Sequence, residues 1–202
     1  MKKIFVAICA CLLMLQISVA SAAAQQVPSD KTLILYYSRT GNTKLACEAL
    51  AKELGADLVE IQDGTDRSGG WGFFTGAVNA MFSMQTDISP EHPDCSPFGR
   101  IIVASPIWAG KLSAATRTLL ATNRLDGKKV ALFTTTNALE SESSREKSRA
   151  AVTASGASMV GYWQVAVREK GDGKKIEKTS EQIVKEALAL VPDIKAAFDQ
   201  AR

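Results

Sequence analysis

The chain has 202 residues, 46% of them hydrophobic, with 24 Lys and Arg against 21 Asp and Glu and one His. That size and apolar content suit a single domain with a sizeable core. A formal net charge of +3, with no Lys/Arg block interleaved with aromatics, argues against a nucleic-acid surface.

The first residues set the compartment. Lys2 and Lys3 lead an apolar run over 4–19, broken only by Gln16 and Ser18, and two small-x-small sites end at Ala22 and Ala24. This order of basic, apolar and small residues predicts a signal peptide over 1–24, removed on export. The competing reading is an uncleaved anchor. The run is short for a bilayer span, which needs about 20 apolar residues, and no basic stop-transfer cluster follows. Cys9 and Cys11 lie too early to carry a lipid. The expected mature protein is soluble, without a stable membrane anchor, and periplasmic if the source is Gram-negative. It keeps 22 basic and 21 acidic residues. Residues 25–30 read as a short lead-in, and 31–202 as one domain.

Along that domain, strand-like and helix-like segments alternate. Leu33-Ile34-Leu35-Tyr36-Tyr37 is a continuous apolar run, as expected of a strand buried on both faces. A helical pattern follows, carrying Leu45, Ala46, Ala49, Leu50 and Leu54 and stopping at Gly55. Second, third and fourth strands are expected over 57–61, 100–105 and 129–134, and a fifth over 159–167. Helices are expected over 113–121 and 141–153. Ile183, Val184, Ala187, Leu188 and Val191 mark the apolar stripe of a closing helix. Five strands joined by helical crossovers predict an α/β fold: a single doubly wound, five-stranded parallel sheet. Between strands two and three, the aromatic- and Met-rich stretch from Trp71 to Met84 reads as an amphipathic crossover helix, with a flap over a ligand or a contact surface for a partner as the sharper alternative.

Ligands of such sheets bind beyond the carboxyl ends of the strands, where strand order reverses. The loop after the first strand is Ser38-Arg39-Thr40-Gly41-Asn42-Thr43. It brings hydroxyls, an amide and a glycine to a helix N-terminus, where unpaired N–H groups and the helix dipole favour an anion. Ordinary N-capping would need only one such residue. No G-x-G-x-x-G follows the first strand, and Trp108-Ala109-Gly110-Lys111-Leu112 lacks the Ser/Thr of a nucleoside triphosphate loop.

Leu35 to Ala46 (L-Y-Y-S-R-T-G-N-T-K-L-A) resembles the phosphate-binding signature of the flavodoxin family. Ala104 to Leu112 (A-S-P-I-W-A-G-K-L) is similar to that family's loop after the third strand. The resemblance runs from Lys31 to about Ala201. It implies strand order 2-1-3-4-5 and flavin mononucleotide (FMN) as cofactor. It further implies that Ser38, Arg39, Thr40, Gly41, Asn42 and Thr43 cradle the FMN phosphate. Ser105, Pro106, Ile107, Trp108, Ala109 and Gly110 would line the flavin ring, with Trp108 stacked on it. Thr134, Thr135, Thr136 and Asn137 would form a third ring-side loop. Ala109 stands where a bulkier residue is common in the family, and the third loop has no Tyr for the other ring face. Tyr162 and Trp71 are the candidates to supply one.

Other chemistries fit less well. His92, in Pro90-Glu91-His92-Pro93, reads as a solvated turn residue. Ser105 stands where a receiver domain needs its acceptor Asp, and Ser38 where a small tyrosine phosphatase needs Cys. Cys47 and Cys95 are expected to remain separate thiols. The expected function is an FMN-binding redox protein acting outside the cytoplasm, either an electron carrier or a small oxidoreductase. Its partner would be a redox protein or a small electron acceptor. A non-enzymatic module binding another phosphate ligand or a protein is the alternative.

Overall fold

A computed structural model describes residues 30–65, 85–138, 140–171 and 174–201. The expected leader over 1–24 and the Trp71 to Met84 segment lie outside the described residues. The main sheet takes β1 (Thr32–Tyr36), β2 (Asp57–Glu60), β5 (Arg100–Trp108), β7 (Lys129–Thr136) and β8 (Ser158–Ala166). These stand in the order β2-β1-β5-β7-β8, all parallel, which is the expected 2-1-3-4-5 arrangement of the five long strands. Short antiparallel pieces surround it: β3 (Gln62–Asp63) with β4 (Ile88–Ser89), β6 (Lys111–Leu112) against the end of β5, and β9 (Arg168–Lys170) with β10 (Lys175–Glu177).

Period-two alternation splits the core into two layers. Leu33, Leu35, Ile101, Val103, Val130 and Leu132 face one side, under α2 (Ala114–Thr122) and α3 (Glu142–Ala154). Ile34, Ile102, Ala104, Ala131 and Phe133 face the other, under α1 (Asn42–Leu54), α4 (Ser180–Ala189) and α5 (Val191–Gln200). Phe133 is fully buried, so Phe133→Ala would cost about 3–5 kcal/mol.

The single closing helix expected around Ile183 to Val191 is two helices. Both turn at Leu190, with Pro192 in the first turn of α5, where its missing N–H does no harm. Ile183 and Ala187 of α4, and Val191, Ile194 and Phe198 of α5, are buried. Cys47 is a buried free thiol and Cys95 a half-buried one. His92 lies in an exposed turn, with Nδ1 3.2 Å from Asn123 Oδ1. No helix among the described residues is long and apolar enough to cross a membrane.

Candidate functional site

The chain leaves β1, goes outward to β2, and returns on the other side of β1 as β5. That reversal places the loops after β1, β5 and β7 together at the carboxyl end of the sheet. Between them runs a groove of about 440 Å³. Arg39, Thr40 and Asn42 line it from the first loop, Pro106, Ile107 and Trp108 from the second, and Thr135, Thr136 and Asn137 from the third.

The first loop is built for an anion. The N-cap of α1 is Gly41, at φ 89° and without a side-chain cap, whereas Ser113, Ser141 and Thr179 cap α2, α3 and α4 through their hydroxyls. Only a residue without a Cβ takes that φ at little cost. The first intrahelical bond is Leu45 N–H to Gly41 O at 2.9 Å, so the amides of the first turn have no helical acceptor. The hydroxyls of the loop are therefore not spent on capping. Ser38 is half-buried, and its Oγ is buried with no partner among the described residues. A buried hydroxyl in that state is costly unless something completes its bonding. Thr40 is exposed, while Thr43 is buried and bonds Thr135 across the loops at 2.7 Å between hydroxyl oxygens.

The second loop is mostly strand. β5 continues to Trp108, which pairs with Lys111 of β6 across a two-residue turn at Ala109 (φ 48°) and Gly110 (φ 72°). Two positive φ values in succession belong to a type I′ hairpin. A Cβ on Gly110 would stand 2.8 Å from Ser144 Oγ, so the glycine also lets α3 approach. The Trp108 ring meets Tyr37 edge-on, with centroids 5.7 Å apart and planes at 83°. Tyr37 is buried, which fixes the half-buried indole at the groove wall. Ala109 and Gly110, with Glu140, Ser141 and Ser144, line a neighbouring hollow of about 330 Å³ that shares Ile107, Thr136 and Asn137 with the groove.

Two of the expected residues turn inward. Ser105 is fully buried; its hydroxyl accepts the Ser113 amide at 3.1 Å and donates to Pro106 O at 3.0 Å. Thr134 is also fully buried and donates to Tyr162 Oη at 3.2 Å. Both brace the loops from beneath. Thr136 donates to Ala138 O at 2.6 Å, which shapes the third loop. Tyr162 does not face the groove. Its hydroxyl donates to Glu140, which also accepts from Gln164 Nε2, and the Arg145 guanidinium lies 4.9 Å from its ring centroid. Burial and the Glu140 carboxylate push the Tyr162 phenol up to about 12. Trp71 lies outside the described residues.

Sequence reasoning missed the far rim. Val167, Arg168 and Glu177 complete the groove from beyond β8, and Arg168 pairs with Glu177 at 2.9 Å. The only signal was Arg168 itself, directly after the fifth strand. The residues present fit a ligand that carries an anionic group and a flat apolar body. The anion would meet bare helix amides and an unpartnered hydroxyl, and the flat body an indole wall.

No protein-family model matches the sequence, and neither does any curated protein. Solved structures do. A Bacteroides uniformis protein described as a flavoprotein superposes with TM-score 0.62 at 18% identity, over 78% of this chain and 97% of that one. A Bacteroides eggerthii protein of the same description gives 0.57 at 21%, over 80% and 98%. A flavoprotein of Lactobacillus acidophilus, solved in complex with FMN, gives 0.55 at 21%, over 67% and 93%. With the strand order and the switch-point groove, these likenesses show that the chain has the flavodoxin-like fold.

Proposed function

We propose that the protein is an FMN-binding redox protein that works outside the cytoplasm. The observation that carries the reading is the buried Ser38 hydroxyl, without a partner among the described residues, beside an uncapped helix N-terminus at one end of a groove walled by Trp108. Ser38, Thr40 and the first amides of α1 would hold the phosphate, with Arg39 and Asn42 beside them. Thr43 would act mainly by fixing the helix to Thr135. Ile107 and Trp108 would form one wall for the ring, and Thr135 to Asn137 the opposite rim. Bound FMN would supply the electron-transfer chemistry. The protein's own part is to orient the ring, exclude water from one face of it and set the local charge. The lysine-led apolar head supports export, and the electron partner would be a redox protein or a small acceptor.

One observation favours the second reading, a module for another phosphate ligand. Among the described residues Trp108 is the only aromatic lining the groove, and Tyr162 is bound up under α3. The absorption spectrum of protein purified from its native compartment separates the two. Flavin bands in stoichiometric amount support the redox reading, and a colourless protein that binds FMN no better than inorganic phosphate supports the module.

A further inference from the structure

Past β8 the chain folds back as the β9–β10 hairpin, in which Arg168 stands opposite Glu177, Glu169 opposite Ile176, and Lys170 opposite Lys175. Directly opposed residues of an antiparallel pair project from one face, as do residues two apart. Arg168, Glu177, Lys170 and Lys175 therefore share a face. Arg168 and Glu177 line the groove, so the lysine rung lies on the groove side of the hairpin, one step farther out. The inner rung is neutralised by the Arg168–Glu177 pair. Lys170, Lys175 and the adjoining Lys174 are exposed, and no ion pair among the described residues involves them.

Like charges placed directly across a strand pair weaken it. Here two lysines keep that arrangement at the mouth of the groove, where a negative partner would relieve it. Residues 168–178 carry five Lys and Arg against three Asp and Glu, while the rest of the chain after residue 24 carries 17 against 18. Positive charge is thus gathered beside the groove of an otherwise balanced protein.

We propose that the groove-side face of this hairpin, centred on Lys170 and Lys175, is the docking surface for an acidic redox protein. The proposal rests on the flavin reading for its redox sense. Redox encounters bury small areas and are guided by complementary charge, so a few lysines beside the cofactor groove suffice to align a partner. Carboxylates on the partner would sit over the lysine rung, and its redox centre would then face the groove. Such a complex is weak and sensitive to salt, because the charges are exposed.

The test uses the mature chain with FMN added and, as probe, a fluorescently labelled acidic plant-type [2Fe–2S] ferredoxin, followed by anisotropy. Basic cytochrome c is the charge control. The expected result is a complex with ferredoxin that added salt dissociates. Charge reversal in K170E/K175E should weaken it by about tenfold or more and improve binding of cytochrome c. K170E alone sets a carboxylate opposite Lys175, so thermal stability should hold or rise, which guards against an unfolded variant. FMN affinity of the double variant should stay within about threefold of the parent, since exposed charges are screened. Ferredoxin binding that is insensitive to the reversal, or no stronger than that of cytochrome c, would overturn the proposal. Binding to phosphatidylglycerol vesicles with none to ferredoxin would overturn it as well. If the parent takes up no FMN, the flavin reading fails by itself, since docking is read from ferredoxin anisotropy with or without flavin.

Discussion

The hydroxyls of Thr43 and Thr135 lie 2.7 Å apart in the buried interior, joining the first turn of α1 to the last turn-ward residues of β7 across 92 positions of sequence. This bond sets the spacing of two of the three loops that frame the groove. Thr43→Val leaves the Thr135 hydroxyl buried without its partner and should cost about 1–3 kcal/mol. The double variant Thr43→Val, Thr135→Val removes both polar groups and should recover much of that loss. Urea denaturation of the single and double variants measures the coupling. Additive losses would show that the two hydroxyls act independently.

Ser38 gives the opposite pattern. Its Oγ is buried and has no partner among the described residues, so Ser38→Ala removes an unsatisfied group and should leave stability unchanged or raise it by up to about 1 kcal/mol. If the hydroxyl meets a phosphate, the same change should weaken FMN binding about tenfold or more. Chemical denaturation of the FMN-free protein, run beside an FMN titration, reads both effects. Lost stability with unchanged FMN affinity would make Ser38 a structural residue.

The turn after Trp108 should be sensitive in a way its sequence alone does not show. Ala109 is held at φ 48°, a conformation that costs a residue with a Cβ about 1–3 kcal/mol. Ala109→Gly should therefore raise the thermal midpoint or leave it unchanged. Gly110→Ala combines a φ of 72° with a Cβ placed 2.8 Å from Ser144 Oγ, and should cost about 1–3 kcal/mol. Differential scanning calorimetry distinguishes them by the sign of the shift.

Tyr162 links stability to pH. Burial first, then the hydrogen bond to Glu140, raises its phenol from the ordinary 10.0 to about 12. The folded state thus holds the proton more tightly than the unfolded state does. The stabilisation is fully present below pH 10 and is lost as pH rises from there through about 12. Over that window the thermal midpoint of the parent should fall more steeply than that of Tyr162→Phe. Parallel slopes would mean that Tyr162 titrates normally in the folded protein.

Much of the fold was legible because its strands are buried on both faces. Leu33 to Tyr36 and Ile101 to Ala104 are unbroken apolar runs for that reason. The first loop stood out through the density of hydroxyls around Gly41, far beyond what one cap needs. The place of Tyr162 was not legible. β8 carries a bulge: Val130 pairs with Met159 but Ala131 with Gly161, so Val160 is passed over. A one-residue slip reverses the faces of all that follows, and its one mark in the sequence is Gly161, an isolated glycine inside the strand. The β9–β10 hairpin was hidden for another reason. Arg168 to Glu177 is polar and glycine-bearing, and reads as loop. The break at Leu190 was hidden because Leu188, Leu190 and Val191 continue the apolar stripe, while a new helix starts at Val191 with Pro192 in its first turn.

Whether the switch-point groove holds FMN is tested most directly by titrating the FMN-free chain from residue 25 onward with FMN under fluorescence detection. With Trp108 as a groove wall, bound FMN should be strongly quenched at one equivalent, riboflavin should bind more weakly for want of the phosphate, and inorganic phosphate should compete poorly. Trp108→Ala should lose part of the quenching and about 0.5–1.5 kcal/mol of affinity beyond the buried area. FMN fluorescence that stays unquenched at any protein concentration, or quenching and affinity unchanged in Trp108→Ala, would contradict the account.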